Sequence, residues 1–459
     1  MVIIPQLIEI VGEGNVSTDD SDLNAYGRDW TRFYEPDPLA IVFVRSIDQV
    51  IALVNLARTE QVGLVPSGGR TGLSGGACAT AGEIVVSFDK MNKILEFDAA
   101  DSSVTMEPGV ITADLQAFAD QQGLHYPVDF ASSGSSQIGG NIATNAGGIR
   151  VVRYGLTRDQ VSGLKVVTGK GELLSLNKGL TKNATGYDLR HLFIGSEGTL
   201  GFIVEATLQL SKTPSSQTVV LLAVGEMADC LNILTTFRST VELSAFEFFS
   251  QNALNHVLAN SELTEPFREQ SPYYVLLEFE QSADNSLDQA LSAFNYCTEK
   301  GWADDGIVAS SDKQNAELWQ YRERISESIS PRTPYKNDVS VRISQVPKFL
   351  QQIDELVSRL YPRFEIVWFG HIGDGNLHLN ILRPDEMAID SFKSQCDTVS
   401  ELLLELVEEF GGSISAEHGV GLLKKNQLHF TRSEQEIDAM RAIKAIFDPS
   451  GIMNPGKLF

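Results

Sequence analysis

The sequence is poor in cysteine and contains no closely spaced cysteine pair. Its 459 residues include four cysteines, which lie far apart along the chain at Cys78, Cys230, Cys297 and Cys396. Disulfide-stabilised secreted domains and thiolate metal sites both need several cysteines at short spacings. The scatter therefore argues against both classes and indicates a reducing compartment, for which we expect the cytoplasm.

Long apolar runs and an excess of basic residues are lacking too. No run of about 18 uncharged apolar residues occurs, so no transmembrane helix is expected. The N-terminal stretch MVIIPQLIEIVGEGN has no basic flank, which makes it a poor signal peptide and no transit peptide. With 36 Lys and Arg against 60 Asp and Glu, the net charge of −24 argues against sequence-independent nucleic-acid binding. An anionic substrate would need a local basic pocket.

What remains is the composition of a globular protein. Hydrophobic residues make up 42% of the chain, and the mean hydropathy is −0.06. A chain of this length is too long for one compact core, so we expect two or three domains. An aromatic run, Phe246, Phe248 and Phe249, is interpreted as part of a core rather than as a cofactor site.

Residues 365–382 predict a β-hairpin that carries histidines. The stretch EIVWFGHIGDGNLHLNIL has apolar and polar residues in alternation at both ends and a Gly-Asp-Gly-Asn turn signal in its middle. His371 closes the first predicted strand. In the second strand, the period of two places His378 and Asn380 on the same face. Two imidazoles and an amide can therefore converge.

A carboxylate and a third imidazole follow in Glu417 and His418. Catalytic zinc sites typically have three protein ligands and one open position, and His371, His378 and Glu417 fit that number. His418 would then be free to act as a base. The alternative is that these are ordinary polar residues at turns. Three of the seven histidines fall in these two glycine-lined segments, which favours a site, although the spacing does not name the metal.

Three separate segments are rich in glycine and are called here the first, second and third glycine loops, at residues 66–76, 129–148 and 185–201. Glycine lets the backbone curl so that its N–H groups point inward, the geometry that holds phosphate oxygens. The second loop would read as a flexible linker, except that Ile138 and Ile142 give it apolar groups to bury. Three such loops imply a long ligand.

Six motifs occur in this order: PSGGRTGLSGG, SSGSSQIGGNIATNAGG, TGYDLRHLFIGSEGTLG, GHIGDGNLHLN, SAEHGVG and FDPSGIMNPGKLF. Together they resemble the vanillyl-alcohol-oxidase, or PCMH-type, FAD flavoproteins, and within that group the D-2-hydroxyacid dehydrogenases. The resemblance implies an α+β fold with a two-subdomain FAD-binding domain at 1–212. It also implies a substrate domain at 213–425, with an antiparallel sheet and flanking helices, and a C-terminal segment at 426–459 that returns to the flavin.

The resemblance further implies an FAD cofactor. We expect it to be noncovalent, because the first and second loops contain neither the histidine nor the cysteine that tethers the flavin in some of these proteins. The residues implied to hold FAD are Pro66, Gly68, Gly69, Arg70, Thr71, Gly72, Ser133, Gly139, Gly140, Asn141, Thr144, Gly147, Gly148, Glu197, Gly198, Ile203 and Asn454.

The residues implied to bind substrate are Arg322, Ser326, Lys336, Asn380 and His418. Residues 317–326 have a helical pattern that would place Arg322 and Ser326, four apart, on one face. A solvated surface charge is the alternative for Arg322. A substrate with two carboxylates suits a bidentate arginine together with a lysine. Lys336 would therefore distinguish enzymes that act on dicarboxylates from the similar D-lactate enzymes, which lack this lysine. Ser326 stands where a threonine is more familiar.

The activity implied is oxidation of D-2-hydroxyglutarate, and of D-malate too, to the 2-oxo acid. A metal on His371, His378 and Glu417, zinc first among divalent transition metals, would lower the pKa of the substrate hydroxyl. His418 would remove its proton, and hydride would pass from the α-carbon to flavin N5. Dehydrogenation of D-lactate or glycolate is the alternative within the family. A metal-dependent hydrolase and a noncatalytic flavin-holding subunit are the rivals outside it.

The sequence has no dinucleotide fingerprint for NAD, so the reduced flavin must pass its electrons elsewhere. The resemblance implies electron-transfer flavoprotein as the acceptor, with a quinone as the alternative. The oligomeric state stays open, and a homodimer is one of the states allowed.

Overall fold

The computed structural model describes residues 3–31 and 33–459. The helices, in chain order, are α1 Ile3–Val11, α2 Asp20–Tyr26, α3 Ile47–Glu60, α4 Thr112–Gln121, α5 Ile138–Thr144, α6 Val151–Tyr154, α7 Thr157–Gln160, α8 Arg190–Phe193, α9 Met227–Arg238, α10 Gln251–Ala259, α11 Ser286–Glu299, α12 Asp312–Glu323, α13 Ile325–Ile329, α14 Val346–Leu360, α15 Ile389–Glu409 and α16 Glu434–Phe447.

The strands are β1 Val16–Ser17, β2 Ala40–Phe43, β3 Leu64–Ser67, β4 Ile84–Ser87, β5 Ile94–Asp98, β6 Ser103–Met106, β7 Leu124–His125, β8 Val161–Thr168, β9 Leu173–Leu176, β10 Gly201–Gln209, β11 Ser211–Lys212, β12 Gln217–Val224, β13 Glu242–Ser250, β14 Tyr273–Glu280, β15 Asp305–Val308, β16 Tyr335–Ser340, β17 Glu365–Gly370 and β18 Asn376–Leu382. Short 3-10 helices cover Glu13–Asn15, Ser330–Arg332, Ile343–Gln345 and Lys425–Phe430.

The chain forms two compact units, each assembled from separate stretches of sequence. Unit 1 comprises the described residues up to Gly148, residues 155–213 and residues 417–459. Unit 2 comprises residues 149–154 and 214–416. The division expected from the sequence placed residues 149–154 in the first domain and residues 417–425 in the substrate domain, whereas the former pack with unit 2 and the latter with unit 1. No helix within 3–31 and 33–459 is both long and apolar enough to cross a membrane.

Unit 1 begins with a four-stranded sheet in the order β1-β2-β4-β3, in which β2, β4 and β3 run parallel. The short apolar run of β2 is buried throughout except at Phe43. Helix α3 then covers the sheet and is capped at its N-terminus by Ser46, whose side chain accepts a hydrogen bond from the N–H of Gln49. Leu53 and Val54 on its inner face are fully buried.

A second sheet in unit 1 is antiparallel, with the order β5-β6-β10-β8-β9. The second glycine loop packs against its core through α5, whose Ile138 and Ile142 have no exposed surface. The flexible-linker alternative for this loop is therefore wrong. Burial of two isoleucines fixes the glycines between them in place.

Unit 2 is built on a seven-stranded sheet in the order β15-β12-β14-β13-β17-β18-β16, with antiparallel pairing at every neighbour. The predicted hairpin is confirmed as β17 and β18, with Phe369 opposite His378. Phe246, Phe248 and Phe249 of β13 are fully buried, as the core interpretation predicted. The α+β class with antiparallel sheets is thus confirmed.

Residues 149–154 are anchored to the sheet of unit 2 by charge. Arg150 pairs with Glu278 at 3.3 Å, and Arg153 pairs with Glu280 at the same distance. The hydroxyl of Tyr154 donates to Glu280 at 2.7 Å. Both carboxylates are buried, and a buried carboxylate without such partners would be costly. These six residues therefore belong structurally to unit 2, although both of their neighbours in the chain belong to unit 1.

Candidate active site

The three glycine loops of unit 1 line one cavity that is partly open to solvent, with about 960 Å³ of space between its walls. Phe88, Pro108 and Phe202 give the wall apolar surface, while the loops contribute backbone and small side chains. A long ligand with an apolar ring system and a polar chain fits this combination.

Most of the residues implied for FAD binding line this cavity. Those in the wall are Pro66, Gly68, Gly69, Arg70, Thr71, Gly72, Gly139, Gly140, Asn141, Thr144, Glu197, Gly198 and Ile203. Ser133, Gly147, Gly148 and Asn454 lie outside the lining. The loops are thus brought together as the resemblance implied, and the wall also includes residues that it did not name.

Gly69 and Gly140 differ in what a side chain at each position would contact. A Cβ atom on Gly69 would collide with the backbone of Ser135 and Ser136, so any side chain there would push the first loop away from the second. At Gly140, a Cβ atom would meet nothing within 4 Å among the described residues, because this glycine faces the open cavity. Gly69 is therefore needed by the protein itself, and Gly140 is free to approach a ligand.

A polar atom in the wall indicates where a ligand would bind. Gln137 donates through Nε2 to Asp89 at 2.7 Å, but its Oε1 is buried and has no hydrogen-bond partner among residues 3–31 and 33–459. Buried polar atoms are nearly always paired in native proteins, so a polar ligand group is the natural partner. Arg70 lies close by, with its guanidinium 4.1 Å from the ring centre of Tyr26. The polar groups of the cavity wall therefore fit a ligand such as FAD.

The C-terminal segment reaches these loops through Asn454. Its Nδ2 donates hydrogen bonds to the carbonyl oxygen of Gly76 at 2.9 Å and to that of Glu197 at 2.6 Å. These two bonds connect the first glycine loop to the third. Asn454 has no exposed surface and a φ of +41°, a conformation that asparagine tolerates better than most residues. It supports the cavity from behind rather than lining it.

Glu197 has a second task besides lining the cavity. Its carboxylate accepts the N–H groups of Val420 and Gly421, both at 2.7 Å. Burial raises the pKa of Glu197, and the two backbone bonds act against that rise. The segment it holds directly follows Glu417 and His418, whose carboxylate and Nε2 are 3.9 Å apart and partly exposed. Glu197, which the resemblance implies to be an FAD-binding residue, is thus also the anchor of that segment.

In unit 2, polar side chains collect on one face of the sheet. His378 lies opposite Phe369 in β17 and opposite Asp338 in β16. Directly opposite residues of antiparallel strands point to the same side, so these side chains share a face. His371 follows two residues after Phe369, which returns it to that side.

The two hairpin histidines are neighbours, and each has a carboxylate beside Nδ1. The rings of His371 and His378 are 5.3 Å apart and nearly perpendicular, at 84°. Nδ1 of His371 is 2.8 Å from Glu247. Nδ1 of His378 is 3.6 Å from Asp338, which is too long for a hydrogen bond. Carboxylates placed behind histidines in this way orient the rings of metal ligands in many proteins.

Arg322 lies in the same cluster of polar side chains as His371 and Glu247. Its guanidinium is 2.9 Å from Glu247 and 4.8 Å from the ring centre of Phe369, and only 9% of its side chain is exposed. The surface-charge alternative for Arg322 is therefore wrong. Its Nε is buried and has no hydrogen-bond partner in the described part of the chain. A donor in this state suits an acceptor oxygen from a ligand.

The predicted continuous helix over 317–326 is wrong in one respect. Helix α12 ends at Glu323, and α13 begins at Ile325, because Arg324 adopts a ψ of −4°, which tightens the turn. Ser326 is exposed, whereas Arg322 is buried, so the two do not share a face as expected. Ser326 therefore stands outside the buried polar group.

Lys336 and Asn380 lie opposite each other in β16 and β18. Asn380 is buried, with 2% of its surface exposed. Desolvation lowers the pKa of Lys336, yet the residue as a whole is exposed.

The sequence patterns do not identify Glu247 and Asp338 as residues of the site. Glu247 interrupts the aromatic run Phe246, Phe248 and Phe249, and a charged residue within a buried strand needs a partner. That interruption was the available signal, but it could not name His371, which is more than a hundred residues away in the chain. Asp29 was missed too, although it accepts the N–H of Gly75 at 2.8 Å and lines the flavin-sized cavity.

Comparison with known proteins identifies relatives over the whole chain. A family model described as "FAD linked oxidases, C-terminal domain" matches residues 213–458, and one described as "FAD binding domain" matches residues 38–177. The chain is similar to a D-2-hydroxyglutarate dehydrogenase of Stutzerimonas stutzeri, with 56% identity over 457 residues, covering 100% of this chain and 98% of the relative.

A second relative of the same name, from Xanthomonas citri pv. viticola, is 53% identical over 444 residues, covering 97% of this chain and 94% of the relative. Among solved structures, p-cresol methylhydroxylase with substrate bound is similar with a TM-score of 0.77 and 16% identity, covering 100% of this chain and 96% of that one. At this identity, the likeness concerns the fold alone.

Proposed function

The chain belongs to the FAD-linked oxidase family and is an FAD-dependent dehydrogenase, and from this premise we propose that it oxidises D-2-hydroxyglutarate to the corresponding 2-oxo acid. The observation that carries the proposal is a pair of cations on the polar face of unit 2. The buried Nε of Arg322 has no hydrogen-bond acceptor within the described residues, and Lys336 lies on the edge strand β16. Two cations match the two carboxylates of this substrate, and D-malate is a second dicarboxylate to test.

We propose further that His371, His378 and Glu417 hold Zn²⁺ or another divalent transition metal. Support comes from the two neighbouring imidazoles with carboxylates behind them, and from the donor set, which suits such ions. A metal bound there would act as a Lewis acid toward the substrate hydroxyl. Asn380, buried in β18 on the same face as His378, would orient the substrate through its amide.

FAD fits the cavity in unit 1, where the residues of the three loops would hold it. When bound, it supplies the acceptor for the hydride of the α-carbon. His418 is proposed as the base that takes the proton of the substrate hydroxyl. Glu197 serves this step indirectly, since it fixes the backbone just after His418. Electrons would leave to electron-transfer flavoprotein or to a quinone, and a homodimer is one assembly to test.

The test is dye-linked turnover of D-2-hydroxyglutarate, D-malate and D-lactate by flavin- and metal-loaded protein, with Lys336→Ala alongside. We expect Lys336→Ala to lower kcat/KM for the dicarboxylates by about 10- to 100-fold, because an ion pair with the distal carboxylate is lost, and to leave D-lactate unaffected. Lys313→Ala is the matched control, since Lys313 is an exposed lysine whose ion pair with Glu317, at 3.6 Å, lies on the surface. D-lactate turned over as well as the dicarboxylates, with no effect of Lys336→Ala, would place the chain with the D-lactate enzymes instead.

A further inference from the structure

We propose that Glu247 is a positioning residue that holds the metal ligand His371 and the substrate-binding Arg322 in fixed relation to each other. The inference rests on the proposed function and deepens it. Glu247 would touch neither the metal nor the substrate. Its carboxylate would act through the two side chains that do.

The geometry of Glu247 is that of a bridge. Oε1 lies 2.8 Å from Nδ1 of His371, and Oε2 lies 2.9 Å from a terminal nitrogen of Arg322. The side chain of Glu247 is 1% exposed, so water does not compete for either oxygen. Oε1 is therefore within hydrogen-bond distance of His371, while Oε2 forms an ion pair with Arg322, and both partners are residues that the proposed function uses.

The contact with His371 determines which ring nitrogen can bind a metal. An ionised carboxylate only accepts hydrogen bonds, so the short contact requires a proton on Nδ1. A neutral imidazole with its proton on Nδ1 has its lone pair on Nε2. Glu247 thus fixes the tautomer and the orientation that leave Nε2 ready to coordinate.

The contact with Arg322 holds the guanidinium while leaving part of it free. One terminal nitrogen is engaged by Glu247, and the ring of Phe369 lies against the guanidinium at 4.8 Å. Nε remains buried and, within residues 3–31 and 33–459, unpaired. Glu247 therefore compensates the buried charge and restricts the guanidinium to one orientation, from which Nε can donate to a substrate carboxylate.

A second buried glutamate separates this role from an ordinary ion pair. Glu278 of β14 lies opposite Ala245, two residues from Glu247, and so points to the same face. Its partners are Arg150 at 3.3 Å and the indole N–H of Trp319 at 3.0 Å. Neither partner is used by the proposed site. Glu278→Gln therefore matches Glu247→Gln in chemistry, burial and face, without the proposed role.

Glutamine cannot replace Glu247 in both contacts. Its single oxygen can accept from His371 or from Arg322, and its NH₂ group then faces the other donor. Aspartate keeps the charge, but it is one methylene shorter and cannot reach both partners. Glu247→Gln and Glu247→Asp should therefore act alike, and the aspartate variant provides the test if the glutamine variant does not fold.

The experiment measures Zn²⁺ affinity by competition with a chelator, and in parallel KM and kcat for D-2-hydroxyglutarate at saturating Zn²⁺. For the Glu247 variants we expect Zn²⁺ to bind about 10- to 100-fold more weakly, as is usual when a partner of a ligating histidine is lost. We also expect KM to stay raised when excess Zn²⁺ restores metal occupancy, since Arg322 remains misplaced. The Glu278→Gln protein should have a lower melting temperature than the wild type but the same Zn²⁺ affinity and the same KM.

The possible failures can be told apart. Wild-type protein that binds no Zn²⁺ would refute the proposed metal site and, with it, the role of Glu247. Wild-type protein that binds Zn²⁺, together with Glu247 variants of equal affinity and equal KM, would overturn the role of Glu247 alone. Equal losses in Glu278→Gln would also overturn it, because a general loosening of the sheet would then explain the result.

Discussion

Asp448 is the residue whose replacement most directly tests how the C-terminal segment supports the flavin cavity. Its side chain is fully buried just after α16, where Oδ1 accepts the N–H of Ile452 at 3.1 Å. Oδ2 accepts the N–H of Met453 at 2.9 Å and pairs with Lys444 at 2.8 Å. These bonds fix the turn that delivers Asn454 to the glycine loops. Asp448→Asn removes the negative charge and one of the two acceptor oxygens.

The expected magnitude follows from what asparagine can still do. Its oxygen can keep one backbone bond, while its NH₂ group faces the N–H of Met453 and the ammonium of Lys444. An unsatisfied buried donor costs about 1–3 kcal/mol, and a buried ion pair that loses one partner costs about 3–5 kcal/mol. Because 18% of the Lys444 side chain is exposed, we discount the second figure and expect a loss of about 2–4 kcal/mol in the free energy of unfolding.

The assay is thermal unfolding by circular dichroism, with flavin content read from absorbance. At about 2–4 °C per kcal/mol for a unit of this size, the melting temperature should fall by roughly 4–16 °C, and flavin content should fall with it. Asp438→Asn is the control on the same helix, since its pair with Arg441 is exposed on both sides. An Asp448→Asn protein that melts at the wild-type temperature and keeps its flavin would show that these bonds do not hold the turn in place.

Two further predictions concern the ligand sites. Because desolvation lowers the pKa of Lys336, its ammonium should lose its proton at a pH below the ordinary lysine range. The KM for D-2-hydroxyglutarate should therefore rise in alkaline solution before the pH reaches about 10.4, the ordinary pKa of lysine. Profiles of KM against pH test this, and Lys336→Ala should show no such rise. Gly69→Ala should lose both stability and flavin, because its methyl group would strike the backbone of the second loop, whereas Gly140→Ala should melt normally without flavin and bind FAD more weakly, as melting curves and flavin titration would check.

The sequence was most informative where local chemistry determines structure. The glycine loops were recognisable because only glycine allows their backbones to approach a ligand and one another, and the matched family models confirm the resemblance drawn from them. The hairpin of β17 and β18 was predictable from alternation and a turn signal between short strands. In both cases the determining residues are neighbours in the chain.

The sequence was least informative where distant residues determine a site. Glu247 becomes meaningful only when the sheet brings it to His371 and Arg322, and its strand looked like plain core because its neighbours are phenylalanines. The interruption of the helix at Arg324 was hidden as well, since Leu318, Ile325 and Ile329 keep the spacing of a continuous helix while the backbone tightens between them. Polar partners and single backbone angles of this kind depend on tertiary contacts, which no local pattern encodes.

The two units are interleaved in the chain, and this has a consequence for biosynthesis. Residues 149–154 leave the ribosome before the sheet that receives them, and residues 417–459, which complete unit 1, leave it only after all of unit 2. The flavin loops therefore cannot be joined by Asn454 until unit 2 has been synthesised, although they are made early. Cofactor capture should accordingly follow the synthesis of unit 2 rather than that of the loops. A gene split near residue 213 should yield two fragments, each of which lacks part of its own fold.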